Sequence, residues 1–299
     1  MWQTSHKMLQ LPTDCRKHDL DSRLNGPAAM KLAVITDIHH SATGPSIVTL
    51  VERFVACAID AGADLLLDLG DRIDDADRDT DLALLSELAA IFRRFRGPRL
   101  HLVGNHDVVN LTDDHHARLL GRRPGHHVHD LGDMRLVIWE PSVVFHRPGG
   151  FAATAENLDW LIATLSTDPR PAIVASHVPV SGAAMTGNYY FEKNPTLATY
   201  PDAAAVRAAV EATGNAALWL SGHVHWNSFS TVGNLRHVTL QSPSETFTTL
   251  PGRALTWAML DIADGRSQLR IEGRDPWNIC FPFVRSGAAP WPAVRAPIE

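Results

Sequence analysis

No stretch of about 18 uncharged apolar residues occurs in the chain, so none of it has the length and character of a membrane-spanning helix. The first residues also lack the apolar run of a secretory leader. Between Met1 and Met30 the uncharged pieces are short and polar, and no cleaved signal is expected. Cysteine is scarce: the 3 residues Cys15, Cys57 and Cys280 are odd in number and far apart. That argues against a disulfide framework and leads to the expectation of a reducing, cytoplasmic setting. There is no excess of positive charge either. Lys and Arg number 27 against 33 Asp and Glu, a formal net charge of -6, which disfavours an electrostatic grip on nucleic acid or an anionic membrane. With 20 Gly and 19 Pro scattered along the chain and no internal repeat, collagenous and low-complexity classes are excluded. What remains is a chain of 299 residues, 45% hydrophobic, long enough to bury a full-sized core.

Histidine is what the chain has in plenty, 16 in all, and the organisation of the chain shows where they fall. Residues 1–29 have mixed charge and no sustained period and read as an arm ahead of the domain, with Met30 a candidate start. From Lys31-Leu-Ala-Val-Ile-Thr36 onward, short apolar runs alternate with helical periods. The runs are Leu65–Leu69, Leu100–Val103, Leu136–Trp139, Ala172–Ala175 and Ala217–Leu220. Helices are expected near 46–61, 80–94 (capped by Asp79), 154–166 and 202–212. After Gly222 the pattern turns to short strands at 227–232, 235–240, 255–262 and 268–272. Unbroken apolar strands between helices indicate buried sheet, and the closing run of strands a second sheet on the first. The expected fold is α/β, two stacked mixed β-sheets flanked by helices, over 30–274. Residues 275–299, carrying Trp277, Phe281, Phe283 and Trp291, form a C-terminal extension.

The polar residues of interest stand where these strands end. Asp37-Ile-His39 closes the first, Gly70-Asp71 the second and Gly104-Asn-His-Asp107 the third. His177 and Gly222-His-Val-His225 close two later ones. Ligand sites of open α/β sheets lie outside the carboxyl ends of strands, so these groups can converge on one cleft. Carboxylate with imidazole and no thiolate suits borderline divalent ions such as manganese, iron or zinc, two of them if an Asp bridges.

This ordered set, D-x-H, G-D, G-N-H-D, a lone H and G-H-x-H, resembles the calcineurin-like metallophosphoesterase superfamily, and the likeness spans about 37–225. The resemblance implies two divalent metal ions. Asp37, His39 and His225 would bind one, Asn105, His177 and His223 the other, and Asp71 would bridge them. It further implies His106 at the phosphate as proton donor or charge stabiliser, with Asp107 orienting it, and hydrolysis of a phosphoester by water activated at the metals. Gly70-Asp-Arg-Ile-Asp74 together with Gly104-Asn-His-Asp107 looks most like bacterial cyclic-nucleotide and glycerophosphodiester hydrolases. Serine/threonine phosphatases carry G-D-x-x-D-R-G and G-N-H-E instead. The expected substrate is a small phosphodiester. Alternatives are a monoester on the same site, DNA cleavage, or an inactive scaffold.

Arg72 is expected at the substrate, the competing reading being a pair with Asp74, Asp75 or Asp77. Tyr189 and Tyr190, in the loop between His177 and the next helix, are expected to stack on substrate or to pack. His40 is read as either a partner of the ligands or a loop residue, and His115, His116, His126, His127 and His129 as surface histidines. A homodimer is left open.

Overall fold

A strand covered on both faces has no solvent side to alternate toward, so it reads as a continuous apolar run. In the computed structural model, which describes residues 30–181, 185–232 and 235–287, the apolar runs of the first half become parallel strands. The elements begin with β1 (Met30–Ile35), α1 (Val48–Asp60), β2 (Leu65–Asp68), α2 (Arg78–Phe92) and β3 (Arg99–His101). Then follow α3 (Asp113–Leu120), β4 (His127–Asp130), β5 (Arg135–Ile138), α4 (Ala155–Thr167) and β6 (Ala172–Ala175). The one-turn α5 (Pro195–Ala198) and α6 (Ala203–Thr213) precede β7 (Ala216–Ser221), β8 (Ser228–Val232) and β9 (Leu235–Thr239). Three strands close the fold: β10 (Trp257–Ala263), β11 (Arg266–Glu272) and β12 (Trp277–Pro282).

These strands make two mixed sheets of six, in the orders β12-β11-β10-β1-β2-β3 and β4-β5-β6-β7-β9-β8. In the first, β1, β2 and β3 run parallel and β10 is antiparallel to β1. In the second, β5, β6, β7 and β9 run parallel, with β4 and β8 antiparallel at the edges. One apolar layer lies between the sheets, where Leu32, Val34, Leu65 and Leu67 face Leu136, Ile138, Ile173 and Leu220. The opposite face of the first sheet is covered by α1 and α2, through Val51, Phe54, Leu85 and Leu88. That of the second is covered by α4 and α6, through Leu161, Leu165, Val206 and Val210. The expected stacked α/β architecture is therefore present.

The structure departs from expectation in four places. The cap of α2 is Asp77, whose carboxylate accepts the amides of Asp79 and Thr80, so Asp79 stands inside the first turn. The segment after Asp107 holds α3 and the edge strand β4. The extension expected from 275 belongs to the sheet as far as Pro282, because β12 pairs along β11 and turns Trp277, Ile279 and Phe281 toward the inter-sheet layer. It goes on with Ser286, whose amide donates to the Ala216 carbonyl at 2.7 Å. Several histidines read as surface groups are packed: His116 is fully buried, and His126 stacks on Trp160 at 4.9 Å. The arm at 1–29 and Trp291 lie outside the described residues. No described helix is long and apolar enough to cross a membrane.

Candidate metal centre

The parallel pairing of β1 with β2 continues past both strands. The Asp37 amide donates to the Gly70 carbonyl at 2.8 Å and the His39 amide to that of Asp71 at 3.1 Å. There the backbone turns left-handed, with φ of 49° at Asp37, 47° at His39 and 53° at Asp71; His223 (70°) and His225 (52°) repeat the device after β7. Asp and His tolerate this region better than branched residues, yet each instance stores on the order of 1 kcal/mol or more. The turns point the side chains out of the strand ends and into the seam between the sheets.

Two glycines are needed because carboxylates occupy the space beside them. A Cβ at Gly104 would collide with the Asp71 carboxylate, and one at Gly222 with Thr36 Oγ1 and the Asp37 carboxylate. Both acids are thus held against backbone. Asp37 accepts the His223 amide at 2.9 Å, and Asp71 Oδ1 accepts the His106 amide at 2.8 Å.

The donors converge closely. His225 Nε2 lies 3.4 Å from Asp37 Oδ1, and His39 Nε2 lies 2.9 Å from His225 Nε2. His177 Nε2 lies 3.2 Å from Asp71 Oδ2 and 3.4 Å from Asn105 Oδ1. The ligating atoms of Asp37, His39 and His225 all fall within 4.8 Å of one another, as do those of Asp71, His177 and His223, and those of His39, Asp71 and His106. The far ring nitrogens are held from behind. His39 Nδ1 meets Asp74 at 2.9 Å, His225 Nδ1 meets Glu245 at 3.4 Å, and His177 Nδ1 donates to the Leu69 carbonyl at 2.9 Å. His223 donates through Nε2 to the Leu197 carbonyl at 2.7 Å, which leaves Nδ1 for the site. Anchoring one ring nitrogen to fix the other is the usual support of a metal-ligating histidine.

Electrostatics agree. Burial would raise the Asp37 carboxyl, but the hydrogen bond and charge of His225, with His177, bring it to about 2. Burial opposes a charge on His177 and His225, yet Asp71 raises the first to about 9, and Asp37 with Glu245 raises the second to about 10. His223 is lowered to about 4, chiefly by burial and then by the charge of His177. The two acids create a field that favours a cation: it draws protons toward His177 and His225, and a divalent ion held there would take their place. With nitrogen and oxygen donors and no thiolate, the set fits two borderline divalent ions.

This geometry agrees with comparison to known proteins. A family model for calcineurin-like phosphoesterases matches residues 30–227. The chain belongs to the calcineurin-like phosphoesterase family. Among solved structures, a dimetal phosphatase from Danio rerio superposes with a TM-score of 0.70 at 15% identity, covering 85% of this chain and 99% of that one. The purple acid phosphatase PPD1 of yellow lupin gives 0.63 at 12% identity, covering 90% of this chain and 57% of the lupin chain. GAP50, the anchor in the inner membrane complex of Plasmodium, gives 0.58 at 12% identity over 86% of this chain and 89% of its own. At these identities the likeness is one of fold. No curated protein matches the sequence.

The calcineurin-like fold brings Asp37, His39, Asp71, Asn105, His177, His223 and His225 to one place, with His106 beside them. Two expectations are corrected. Arg72 does not face substrate: it is fully buried, donating to Asp68 at 2.7 Å and to the Leu102 carbonyl at 2.6 Å, with Nη2 3.0 Å from Asp107. Asp107 does not orient the His106 ring. Its oxygens accept the amides of Asp71, Arg72 and Gly104 at 2.8, 3.0 and 2.9 Å, and the carboxylate near His106 Nδ1 is Asp75, at 3.4 Å. Both residues tie the loop after β2 to the loop after β3. Tyr189 and Tyr190 do line the cleft in front of the centre, whereas Tyr200 is buried against Trp139. His40 is buried and meets Glu87 at 2.7 Å. Sequence reasoning missed Glu245, which lies in a loop after β9 with no motif around it, and considered Asp74 and Asp75 as partners of Arg72, not of histidines. For Asp74 the signal was present, three residues after Asp71.

Proposed function

We propose that this protein hydrolyses a small-molecule phosphoester, a phosphodiester in preference to a monoester, with a pair of divalent ions at the seam of its two sheets. Asp37, His39 and His225 would hold one ion, Asn105, His177 and His223 the other, with Asp71 between them. The carrying observation is the meeting of two donor groups, Asp37–His39–His225 and Asp71–His177–His223, at the foot of a cavity of about 700 Å³. When bound, such ions lower the pKa of water toward roughly 7 and neutralise charge on the phosphoryl oxygens.

The chain's own residues prepare the rest. The amide of His106 is pinned by Asp71, its ring stands half-exposed in the cleft, and Asp75 sits against its Nδ1. It is thereby placed to give a proton to a departing ester oxygen. Phe151 and Phe191 pack on the His223 ring at 5.0 and 5.5 Å and keep water from that side. The diester preference, with a cyclic nucleotide as first candidate, is supported by the Asp71-x-x-Asp74 and Gly104–Asp107 spacings and by a cavity roomy enough for two ester arms. The net charge of -6 supports a small molecule over DNA.

The test is to compare initial rates on bis(4-nitrophenyl) phosphate and 4-nitrophenyl phosphate after loading with manganese(II), with Asn105→Ala alongside. Faster diester cleavage that collapses in the variant supports the proposal. A faster monoester rate moves the assignment to phosphatase. Metal uptake with neither substrate cleaved makes the protein a scaffold.

A further inference from the structure

Beyond the donors, the cleft has a character of its own. Val109, Val144, Tyr189 and Tyr190, which belong to the large apolar side chains standing exposed among the described residues, all line its mouth. They come from separate loops, after β3, after β5 and after β6. Tyr189 meets Phe247, a further lining residue from the loop after β9, edge to face at 4.7 Å and 84°, so two loops build one aromatic corner. Exposed apolar groups scattered singly need no explanation, but several on one concave rim mark a binding surface. Among the described residues charge is sparse there: apart from Asp71 and the histidines, the charged lining groups are Asp75 and Arg147, one of each sign.

A substrate carrying further phosphates or carboxylates would find no cluster of cations among the described lining residues, and Asp75 would repel it. An arene entering the corner would cover apolar surface that otherwise faces water, and would find ring edges and faces to pack against. We infer that this cleft selects a phosphoester bearing an uncharged planar apolar group, aryl or base-like, packed against the corner that Tyr189 and Phe247 form, with Val109 and Val144 on the same rim. This rests on the phosphoesterase reading above and adds which arm of the substrate is recognised.

The test separates the two readings by varying only the arm that stays behind. Bis(4-nitrophenyl) phosphate and methyl 4-nitrophenyl phosphate release the same 4-nitrophenolate, and one keeps an aryl arm where the other keeps a methyl. Binding of diphenyl phosphate and dimethyl phosphate to the manganese-loaded protein is measured beside them by calorimetry. Covering roughly 80 Å² of apolar surface at about 25 cal/mol/Å² corresponds to a preference of about 30-fold for the aryl ligand. In the double variant Tyr189→Ala, Phe247→Ala both the binding preference and the aryl-to-methyl ratio of kcat/KM should fall about 10-fold. Phe247→Leu should restore part of each. The substitutions lie at the surface, and an unchanged thermal midpoint verifies the fold. If both diesters are cleaved but the ratio ignores the substitutions and diphenyl phosphate binds no tighter than dimethyl phosphate, the inference is wrong and the phosphoesterase reading stands. If neither diester is cleaved while diphenyl phosphate still binds about 30-fold tighter, the recognition stands and the phosphoesterase reading falls.

Discussion

Replacing Arg72 by methionine keeps the length of the side chain and removes its charge, and the structure says what that leaves behind. The guanidinium is fully buried between Asp68 and Asp107, both also buried. Without it Asp68 keeps His101 at 2.9 Å and the Gly70 amide at 3.1 Å, while Asp107 keeps its three backbone amides. Breaking a buried pair from one side costs about 3–5 kcal/mol, because the remaining charge stays desolvated. At about 2–4 °C per kcal/mol for a chain of this general size, the thermal midpoint should fall by roughly 10 °C. The sign with pH can be worked out. In the native protein burial would raise the Asp68 carboxyl, but Arg72 and then His101 hold it below its ordinary value. It therefore contributes stability above about pH 4, lost as pH falls through the depressed folded value. Without Arg72 the largest influence opposing burial is gone, so the folded value should rise. The gap to the native protein should be widest at pH 7 and narrow toward pH 5, as read by calorimetry without added metal. A variant within about 2 °C of the native protein at pH 7, or a gap that ignores pH, would refute the reasoning, because about 2 °C is roughly what one weak surface effect gives.

Three further outcomes are expected. Glu245→Gln removes the carboxylate behind His225 Nδ1, and metal affinity measured by equilibrium dialysis should fall by about 10- to 100-fold with the fold intact. Gly222→Ala forces a methyl into Thr36 and Asp37, so metal content after purification should drop well below that of the native protein; full loading would show that the strand end can give way. His237 is buried, stacks on Trp219 at 6.0 Å, and is lowered to about 3 by burial and by Arg207. Between about pH 6.5 and 3 the unfolded chain therefore binds a proton that the native chain does not, and stability falls with pH. About 2 kcal/mol should be lost at this residue between pH 7 and 5. Denaturant titrations at the two pH values should show a smaller loss in His237→Phe.

How legible the fold was depended on which physical force set each element. β1, β2, β6 and β7 are buried on both faces, so each left a short apolar run, and the ligands follow those runs because a strand's end fixes where its next residues point. β12 was also written in the chain, with Trp277, Ile279 and Phe281 at a period of two. Its Pro- and Ala-rich surroundings hid it. α3 and β4 left little signal, since Asp113-Asp-His-His-Ala-Arg-Leu-Leu120 offers few apolar positions and β4 is a partly exposed edge strand. The ligand set was readable because those residues sit in ordered short motifs. Arg72 was misplaced because its partners, Asp68 and Asp107, come from two different strand ends, and only the fold brings them under it. Glu245 and Asp75 reach the histidines from loops, where no period records which side chain turns inward.

The donors are divided between two sheets that share no strand. Asp37, His39, Asp71 and Asn105 follow strands of one, and His177, His223 and His225 follow strands of the other. Nothing covalent near the centre sets how far apart those halves stand; the thickness of the leucine and isoleucine layer does, as a shim sets the gap between two plates. Trimming Leu67 or Ile173, neither of which touches the cleft, would let the plates settle closer or tilt, and the spacing demanded of two ions would be met less well. In this architecture the grease of the core is part of the gauge of the chemistry.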